Sequence, residues 1–213
     1  MTAPAKKRNP AITKRSILDA ALEEFSTYGL GGARVDRIAE RAGANKRMLY
    51  HYFGNKDALF LAALEEAYAD IRSAERELEL ETVNPIDSIR RLVTFTWDYY
   101  DENPQFLSLL NSENLHKAVH LKQSKRIQAL HSPFIEMLRR IVEKGESQGL
   151  FRPGVDPVQL YLSIASVCYF YFSNIHTLSV VFGVDLGAKE ALSLRRAHAV
   201  DVILGYLRDR STA

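Results

Sequence analysis

The first 60 residues contain an excess of side chains that carry positive charge and donate hydrogen bonds. They hold 11 Lys and Arg against 6 Asp and Glu, whereas residues 61–213 hold 17 against 20. Four side chains that can donate hydrogen bonds are close together, namely Lys46, Arg47, Tyr50 and His51. Neutralising phosphates with basic side chains releases counterions, so this pattern favours a polyanionic partner for the N-terminal part. An ordinary solvated charged face is the alternative that charge alone leaves open.

Three helices, of which the second and third are short, are predicted to position these side chains. Asn9-Pro10 supplies an N-cap and a first-turn proline, and apolar residues at i, i+4 spacing then continue to Gly29. A second helix over 35–42 ends at Gly43, and Asn45 caps a third over 46–53. Leu49 and Phe53 share one face of the third helix, so the four donors lie largely on others. Two short helices joined by a three-residue turn have the lengths of a helix-turn-helix.

The rest of the chain is also predicted to be helical. Asn55 starts a helix from 56 to about 81, Asn84-Pro85 one through 100, and Asn103-Pro104 a further one. Residues 115–148 have a helical pattern in which Pro133 predicts a kink or break. Helices follow at 157–182 and 188–210, and strand patterns are absent. We therefore expect an all-α protein of about nine helices, with a basic arm at 1–9, a three-helix head at 10–56 and a helical-bundle body at 57–213.

Residues 35–59 read VDRIAERAGANKRMLYHYFGNKDAL. This string resembles the signature of the TetR family of bacterial transcriptional regulators, and the resemblance extends over residues 12–60. It implies that helices 1–3 bind double-stranded DNA and that the later helices bind a small-molecule effector and form a homodimer on a pseudo-palindromic operator. It further implies a non-enzymatic repressor that its ligand releases from DNA, with activation left open as an alternative.

Matched position by position, the resemblance places the start of the third helix against base edges and the residues after it on bases or phosphates. Arginine and lysine can donate to guanine O6 and N7, while tyrosine hydroxyls suit phosphate oxygens. Arg47 and Met48 depart from the small residue or Pro, and the Thr or Ala, common at those positions. The usual Ser or Thr cap of helix 2 is missing, so Arg34 is a candidate for phosphate contact instead. The predicted DNA-binding residues are Arg34, Lys46, Arg47, Met48, Tyr50, His51, Tyr52 and Lys56.

Composition predicts a cytoplasmic protein, and the family resemblance implies that it associates with the nucleoid. Cys168 is the only cysteine, so no intrachain disulfide forms, and the first residues are not followed by a signal-peptide apolar run. Residues 158–182 lack formal charge, yet they hold too many polar side chains for a membrane span. They fit a helix buried in a core or subunit interface. Lys6-Lys7-Arg8 form a basic arm that promotes solubility or reaches a minor groove.

Aromatic and polar residues of the body predict a ligand pocket, because buried polar groups need one another, water or a ligand as partners. Core packing explains the aromatic spacing equally well. The pocket candidates are Trp97, Tyr100, Phe106, Asn111, Asn114, His116, His120, Tyr169, Asn174 and His176. Residues 111–131 and 151–157 resemble regulators of catabolic operons for nitrogen heterocycles or aromatic acids, and this resemblance implies an aromatic or nitrogen-heterocycle catabolite as the ligand. The last two helices are expected to form the dimer interface as a four-helix bundle, through Tyr161, Phe172, Leu192, Val200, Ile203, Leu204 and Leu207.

Other function classes receive less support. Glu113, His116 and His120 have a spacing compatible with metal ligands on one helix face, but no fourth ligand follows at a fixed spacing. We therefore expect no metal and no cofactor. An enzyme is disfavoured because hydrolase, phosphate-loop and HExxH-type motifs are absent. A helical oligomerisation protein that binds polyanions without sequence preference remains as an alternative class.

Overall fold

A computed structural model describes residues 9–208, and this part of the chain is helical with no strand. The helices are α1 (Pro10–Gly32), α2 (Val35–Arg41), α3 (Lys46–Phe53), α4 (Lys56–Arg76), α5 (Pro85–Glu102), α6 (Pro104–Leu115), α7 (Lys125–Ser147), α8 (Pro157–Phe182) and α9 (Lys189–Leu207). Two 3-10 turns lie at Leu80–Thr82 and Leu121–Gln123. The predicted all-α class is therefore confirmed, whereas the arm at Lys6-Lys7-Arg8 lies outside the described residues.

Capping side chains start the helices where the sequence predicted. The side chain of Asn9 accepts a hydrogen bond from the Ala11 N–H, that of Asn84 from the Asp87 N–H, and that of Asp156 from the Gln159 N–H. Each satisfies one of the N–H groups that a helix start leaves without an intrahelical partner. Proline follows directly at all three starts. Side-chain caps of this kind can be read from sequence because they act within three residues.

Several predicted helix boundaries differ from the structure. Helix α1 departs from helical geometry at Gly29 (φ 64°) but continues to Gly32, and α4 ends at Arg76 rather than near 81. The continuous helical pattern predicted from 115 was wrong, because Lys117 and Ala118 adopt positive φ and α7 begins only at Lys125. Of the kink or break predicted at Pro133, a break does not occur, since α7 runs through this residue.

The chain divides into two compact units. The first comprises the described residues up to Tyr68 together with Ser108–Ile127. Its core centres on Phe25, Ile38, Leu49 and Phe60, each without exposed surface. The expected domain boundary after residue 56 differs from this division, because 57–68 and 108–127 pack with the three-helix head. Leu109, with 1% of its surface exposed, belongs to the same core cluster.

The second unit comprises Ala69–Leu107 and the described chain from Gln128 onward. Helix α5 is central in it and packs against α8 and α9. Trp97 is 1% exposed, and its ring lies 5.2 Å from Tyr171 and 4.6 Å from Phe172, measured between centroids. Aromatic packing of this kind removes large apolar areas from water. This accounts for the aromatic side chains along α5 and α8 as core of the unit.

Helix α8 is long and apolar enough, by length and composition alone, to cross a membrane. Only 17% of its most apolar window is buried. One such helix is weak evidence for a span, because the core helix of a soluble protein passes the same test. At its C-terminal end, the apolar side chains of Val180, Val181 and Phe182 are exposed.

Candidate nucleic-acid interface

Helices α2 and α3 meet through a tight turn. Gly43 takes a left-handed conformation (φ 58°) there, which glycine adopts without the steric cost of a Cβ atom. Asn45 then caps α3 by accepting a hydrogen bond of 2.9 Å from the Met48 N–H. Leu49, fully buried, anchors α3 in the core beside Ile38 of α2. The turn, the cap and one buried leucine therefore fix the direction of α3.

The outer face of α3 presents the predicted donors to solvent. Lys46, Arg47, Tyr50 and His51 are exposed, with Tyr50 at 45% of its surface. The exposed Arg34 precedes α2 in the chain. The remaining three predicted DNA-binding residues are half-buried: Met48, Tyr52 and Lys56. The side chains assigned to DNA contact thus include five on the surface and three that also pack in the head.

An acidic residue on α2 pairs with the first basic residue of α3. The Lys46 ammonium forms an ion pair with the Asp36 carboxylate, and both side chains are about half exposed. An exposed pair of this kind contributes little to stability. It does, however, place a negative charge beside a side chain predicted to contact DNA. Asp36 is thus an acidic part of this surface that the sequence did not indicate.

A buried glutamate on α1 holds the start of α2, which lacks a side-chain cap. Glu24 Oε1 accepts hydrogen bonds from the Arg34 N–H at 2.9 Å and from Arg37 Nε at 2.7 Å. Arg37 also donates to the Gly32 carbonyl at 3.0 Å, and its guanidinium lies 4.2 Å from the centre of the Tyr28 ring. Glu24 therefore binds the N-cap residue of α2 itself, whereas a Ser or Thr cap would accept from N–H groups further into the helix. The sequence did not indicate this role of Glu24.

The segment Ser108–Ile127 is attached to the head by buried polar contacts. Glu113 accepts hydrogen bonds of 2.9 Å from the N–H groups of His120 and Leu121, and its other oxygen lies 2.6 Å from His120 Nδ1. The His120 ring packs edge-on against Phe60, with centroids 5.0 Å apart. Ser112 Oγ accepts from the Leu30 N–H at 3.2 Å. The described residues contain no group of three side chains suited to a metal ion, and Glu113 and His120 instead pair with each other.

The ten predicted pocket residues are divided between the two units. Asn111, Asn114, His116 and His120 belong to the first unit; Trp97, Tyr100, Phe106, Tyr169, Asn174 and His176 belong to the second. Trp97, Tyr100, Phe106 and His120 are buried, while Asn114, His116 and His176 are exposed. Among the described residues, none of the ten lines the larger cavity of the second unit, which is formed mainly by α4 and α7.

The residues predicted for the dimer interface are of two kinds. Tyr161, Phe172 and Leu192 are half-buried and retain surface for a partner. The other four face the core of their own subunit and have at most 7% exposure: Val200, Ile203, Leu204 and Leu207. A side chain already buried has almost no area left for a second subunit, so we assign these four to the core. The apolar residues that α8 and α9 leave exposed include Phe170, Val181, Phe182 and Leu194.

Two family models match this chain. One, described as "Bacterial regulatory proteins, tetR family", matches residues 17–63. The other, "Tetracyclin repressor-like, C-terminal domain", matches residues 85–203. The first contains α2, the turn and α3, while the second covers most of the body. The two matches therefore span both the candidate interface and the helices that follow it.

Curated relatives include the HTH-type transcriptional repressor NicS of Pseudomonas putida, which is 44% identical over 92% of this chain and 92% of its own length. The repressor SCO4008 of Streptomyces coelicolor is 39% identical over 51% of this chain and 53% of its own. Among solved structures, the regulator SCO4942 of S. coelicolor covers 92% of this chain and 98% of its own, with a TM-score of 0.69 and 25% identity. FadR of Bacillus subtilis, solved with stearoyl-CoA, has a TM-score of 0.65 at 16% identity over 92% of this chain and 100% of its own, and shows the fold alone.

Proposed function

The chain belongs to the TetR family of bacterial transcriptional regulators, and from that premise we propose that it is a homodimeric repressor that a small organic ligand releases from a pseudo-palindromic operator. The observation that carries the proposal is the exposed face of α3, where Lys46, Arg47, Tyr50 and His51 surround the buried anchor Leu49. A rigid helix with donors on its free face is what major-groove recognition requires. The proposed site of action is the cytoplasm, at the nucleoid.

The proposed contacts assign different tasks to neighbouring residues. Lys46, Arg47 and Met48 at the start of α3 contact base edges. The contacts to bases or phosphates come from Tyr50, His51, Tyr52 and Lys56, and the exposed Arg34 contacts phosphate. Base contacts set the preferred sequence, while phosphate contacts fix the register of the helix without reading sequence. The unusual Arg47 therefore gives this repressor a base preference of its own.

The proposed dimer forms through α8 and α9. Their exposed apolar side chains, Phe170, Val181, Phe182 and Leu194, are 57–74% exposed in the single chain. Apolar groups so extensively exposed are rare on monomers and mark a protein contact. A two-fold interface would present two α3 helices to successive major grooves. The half-buried Tyr161, Phe172 and Leu192 are proposed to border this surface.

The proposed release mechanism is linkage between ligand binding and DNA binding. The ligand binds more tightly to an arrangement of the two subunits that contacts the operator poorly. Because coupling is reciprocal, the protein bound to its operator must then bind the ligand less tightly. Helix α4 contributes residues to both compact units, so it is the proposed route of the coupling. The complex of B. subtilis FadR with stearoyl-CoA supports small-molecule binding in this fold. An aromatic or nitrogen-heterocycle catabolite is the proposed ligand class.

Selection of bound DNA from a random pool, followed by release with a metabolite library, tests the proposal. We expect enrichment of two inverted half-sites and loss of the complex with one class of metabolite. Salt-dependent binding without sequence preference would instead support a protein that binds polyanions generally. Enhanced transcription by the free protein bound at its operator would support an activator.

A further inference from the structure

The second unit contains a cavity of about 270 Å³. Helix α4 supplies charged side chains to it, including Arg72 and Glu75, and α7 supplies an apolar wall that includes Pro133, Phe134 and Met137. Cavities of roughly 150 Å³ hold benzene, whereas drug-sized ligands occupy roughly 300 to 1,000 Å³. The volume therefore suits one substituted ring.

Arg72 is buried at the cavity, and its Nε donor has no hydrogen-bond partner among the described residues. Its guanidinium stacks on the Phe134 ring, 4.3 Å from the ring centre, and Nη2 donates to the Tyr161 hydroxyl at 3.4 Å. Nη1 lies 2.9 Å from Glu75 Oε2, and both side chains are at most 3% exposed. Nη1 and Oε2 thus have each other as ion-pair partners, whereas Arg72 Nε has no hydrogen-bond partner within the described part of the chain. Buried donors without acceptors are costly, so a ligand with acceptor oxygens would lower the free energy of this site.

The charge of the cavity favours an anion. Three arginines, Arg72, Arg76 and Arg140, line it against two glutamates, Glu75 and Glu81, which leaves a net charge of +1. Glu81 already accepts two hydrogen bonds from Arg140, at 2.7 and 3.0 Å. A charged carboxylate accepts from a guanidinium more strongly than a neutral amide does. The net positive charge of the cavity and the Nε donor of Arg72, which has no partner among the described residues, therefore favour a carboxylate over its amide.

We propose that this cavity binds a small carboxylate with one planar ring, its carboxylate on Arg72 and its ring on the apolar wall of α7. This inference rests on the proposed function, since it names the site and chemical class of the ligand that releases the repressor. When the ligand binds, its carboxylate replaces Glu75 as the partner of the Arg72 guanidinium, and Glu75 takes up a proton. The ring lies beside Phe134 and Met137, which are apolar side chains of the cavity lining.

Proton uptake by Glu75 makes binding depend on pH. Burial raises the pKa of Glu75 to about 7, although Arg72 and Arg76 favour its charged form. A bound carboxylate would raise this pKa further because like charges disfavour ionisation. Affinity should therefore be higher at about pH 6 than at about pH 8. The charged and titratable groups that act on Glu75 are Arg72 and Arg76 of α4, Tyr99 and Tyr100 of α5, and Tyr161 of α8.

The test is calorimetric titration of the full chain, without DNA, with benzoate, phenylacetate, pyridine-2-carboxylate and pyridine-3-carboxylate, each beside its carboxamide. At least one carboxylate should bind about tenfold more tightly than its carboxamide, as expected for a charged hydrogen-bonded pair. The double variant Arg72→Gln with Glu75→Gln leaves no buried charge unpaired. It should bind the same carboxylate about tenfold more weakly than the wild type does. Met137→Trp, which fills the cavity without changing its charge, should also abolish binding.

Arg139→Gln is the matched control, since Arg139 is an exposed arginine of α7 paired with Glu136 and does not line the cavity. It should bind like the wild type. The inference is overturned if no carboxylate of the panel binds at about 10 mM, if carboxamides bind equally well, or if the double variant retains wild-type affinity. The titration contains no DNA, so the two proposals can fail separately. A protein that binds a carboxylate but selects no operator would contradict only the proposed function. A protein that selects an operator but binds no carboxylate would contradict only the assignment of the cavity.

Discussion

The carboxylate of Glu24 accepts a 2.7 Å hydrogen bond from Arg37 Nε and has no exposed surface. The same oxygen accepts the Arg34 N–H at the start of α2. The pair therefore joins α1 to the helix that supports α3. Since base recognition needs α3 held at a fixed angle, the Glu24–Arg37 pair links the stability of the head to its affinity for DNA.

Replacing Glu24 with Ala should destabilise the protein and weaken operator binding. The change leaves the Arg34 N–H and the Arg37 guanidinium without their buried acceptor, which costs about 1–3 kcal/mol for a partly exposed arginine. Chemical denaturation and operator titration measure the two effects. Glu23→Ala is the control, because Glu23 is exposed and pairs with Arg41 at the surface. Equal stability of the two variants would refute the role of Glu24.

Acid should remove the contribution of Glu24. Burial favours its neutral form, but the hydrogen bonds from Arg37 and from the Arg34 N–H outweigh burial and lower its pKa below the usual 4.5. A lowered pKa stabilises the folded state above 4.5, and this contribution is lost as the pH falls through the folded-state pKa. The difference in unfolding free energy between wild type and Glu24→Gln should shrink with acid below that value. A difference independent of pH would contradict the assignment.

Asp36→Asn should increase DNA affinity. The substitution frees Lys46 from its ion pair and removes a negative charge next to the predicted contact surface. We expect about two- to fivefold tighter binding at low salt, and less at high salt because screening weakens both effects. A double-mutant cycle with Lys46→Ala isolates the pair, and most of the gain should disappear in the Lys46→Ala background. An unchanged gain there would show that Asp36 does not compete through Lys46.

Substitutions on the outer face of the head should separate phosphate from base contacts. Tyr50→Ala and Lys56→Ala should weaken binding to all sequences, and Lys56→Ala should also reduce the salt dependence by about one counterion. Arg47→Ala should change the preferred base as well. Anisotropy titrations over a salt series with single-base variants of the operator measure these effects. Lys122→Ala is the control, because Lys122 is an exposed lysine outside α3. Wild-type affinity and selectivity in all three variants would refute the contact assignment.

Gly145→Ala should destabilise the body. A Cβ atom at Gly145 would lie 2.1 Å from Cδ2 of Phe151, which is 3% exposed and cannot move without repacking. Overpacking of this kind costs about 1–3 kcal/mol. Gly31→Ala is the control, since its added Cβ meets nothing within 4 Å. Thermal unfolding compares the two variants, and an equal melting temperature would contradict the close packing at Gly145.

Local signals explain which parts of the structure could be predicted. Asn45 and Gly43 act on the residues next to them, so the bounds of α3 and the turn before it followed from the sequence. Lys117 and Ala118 ended the helical pattern with positive φ, which residues other than glycine seldom adopt and sequence therefore seldom indicates.

Burial of charge was the main feature that sequence could not reveal. Glu24 and Glu75 occupy helix positions where glutamate is usually solvated, and only tertiary packing encloses them beside Arg37 and Arg72. The sequence predicted a ligand pocket at aromatic positions that lie on α5 and α8, whereas the cavity is formed mainly by α4 and α7. The enclosed charges of Arg72 and Glu75, which mark this cavity, could not be inferred from the sequence. Periodicity shows which faces are apolar, but it does not show where a charged pair is enclosed.

Selection from a random DNA pool tests the central account most directly, with wild type and Arg47→Ala compared in parallel. The account predicts that wild type enriches two inverted half-sites about one helical turn apart, or a multiple of it, because a two-fold dimer presents two copies of α3. Arg47→Ala should enrich half-sites altered at one or two positions. Recovery of the input pool without any preferred sequence, or of identical motifs with both proteins, would contradict recognition of DNA by α3.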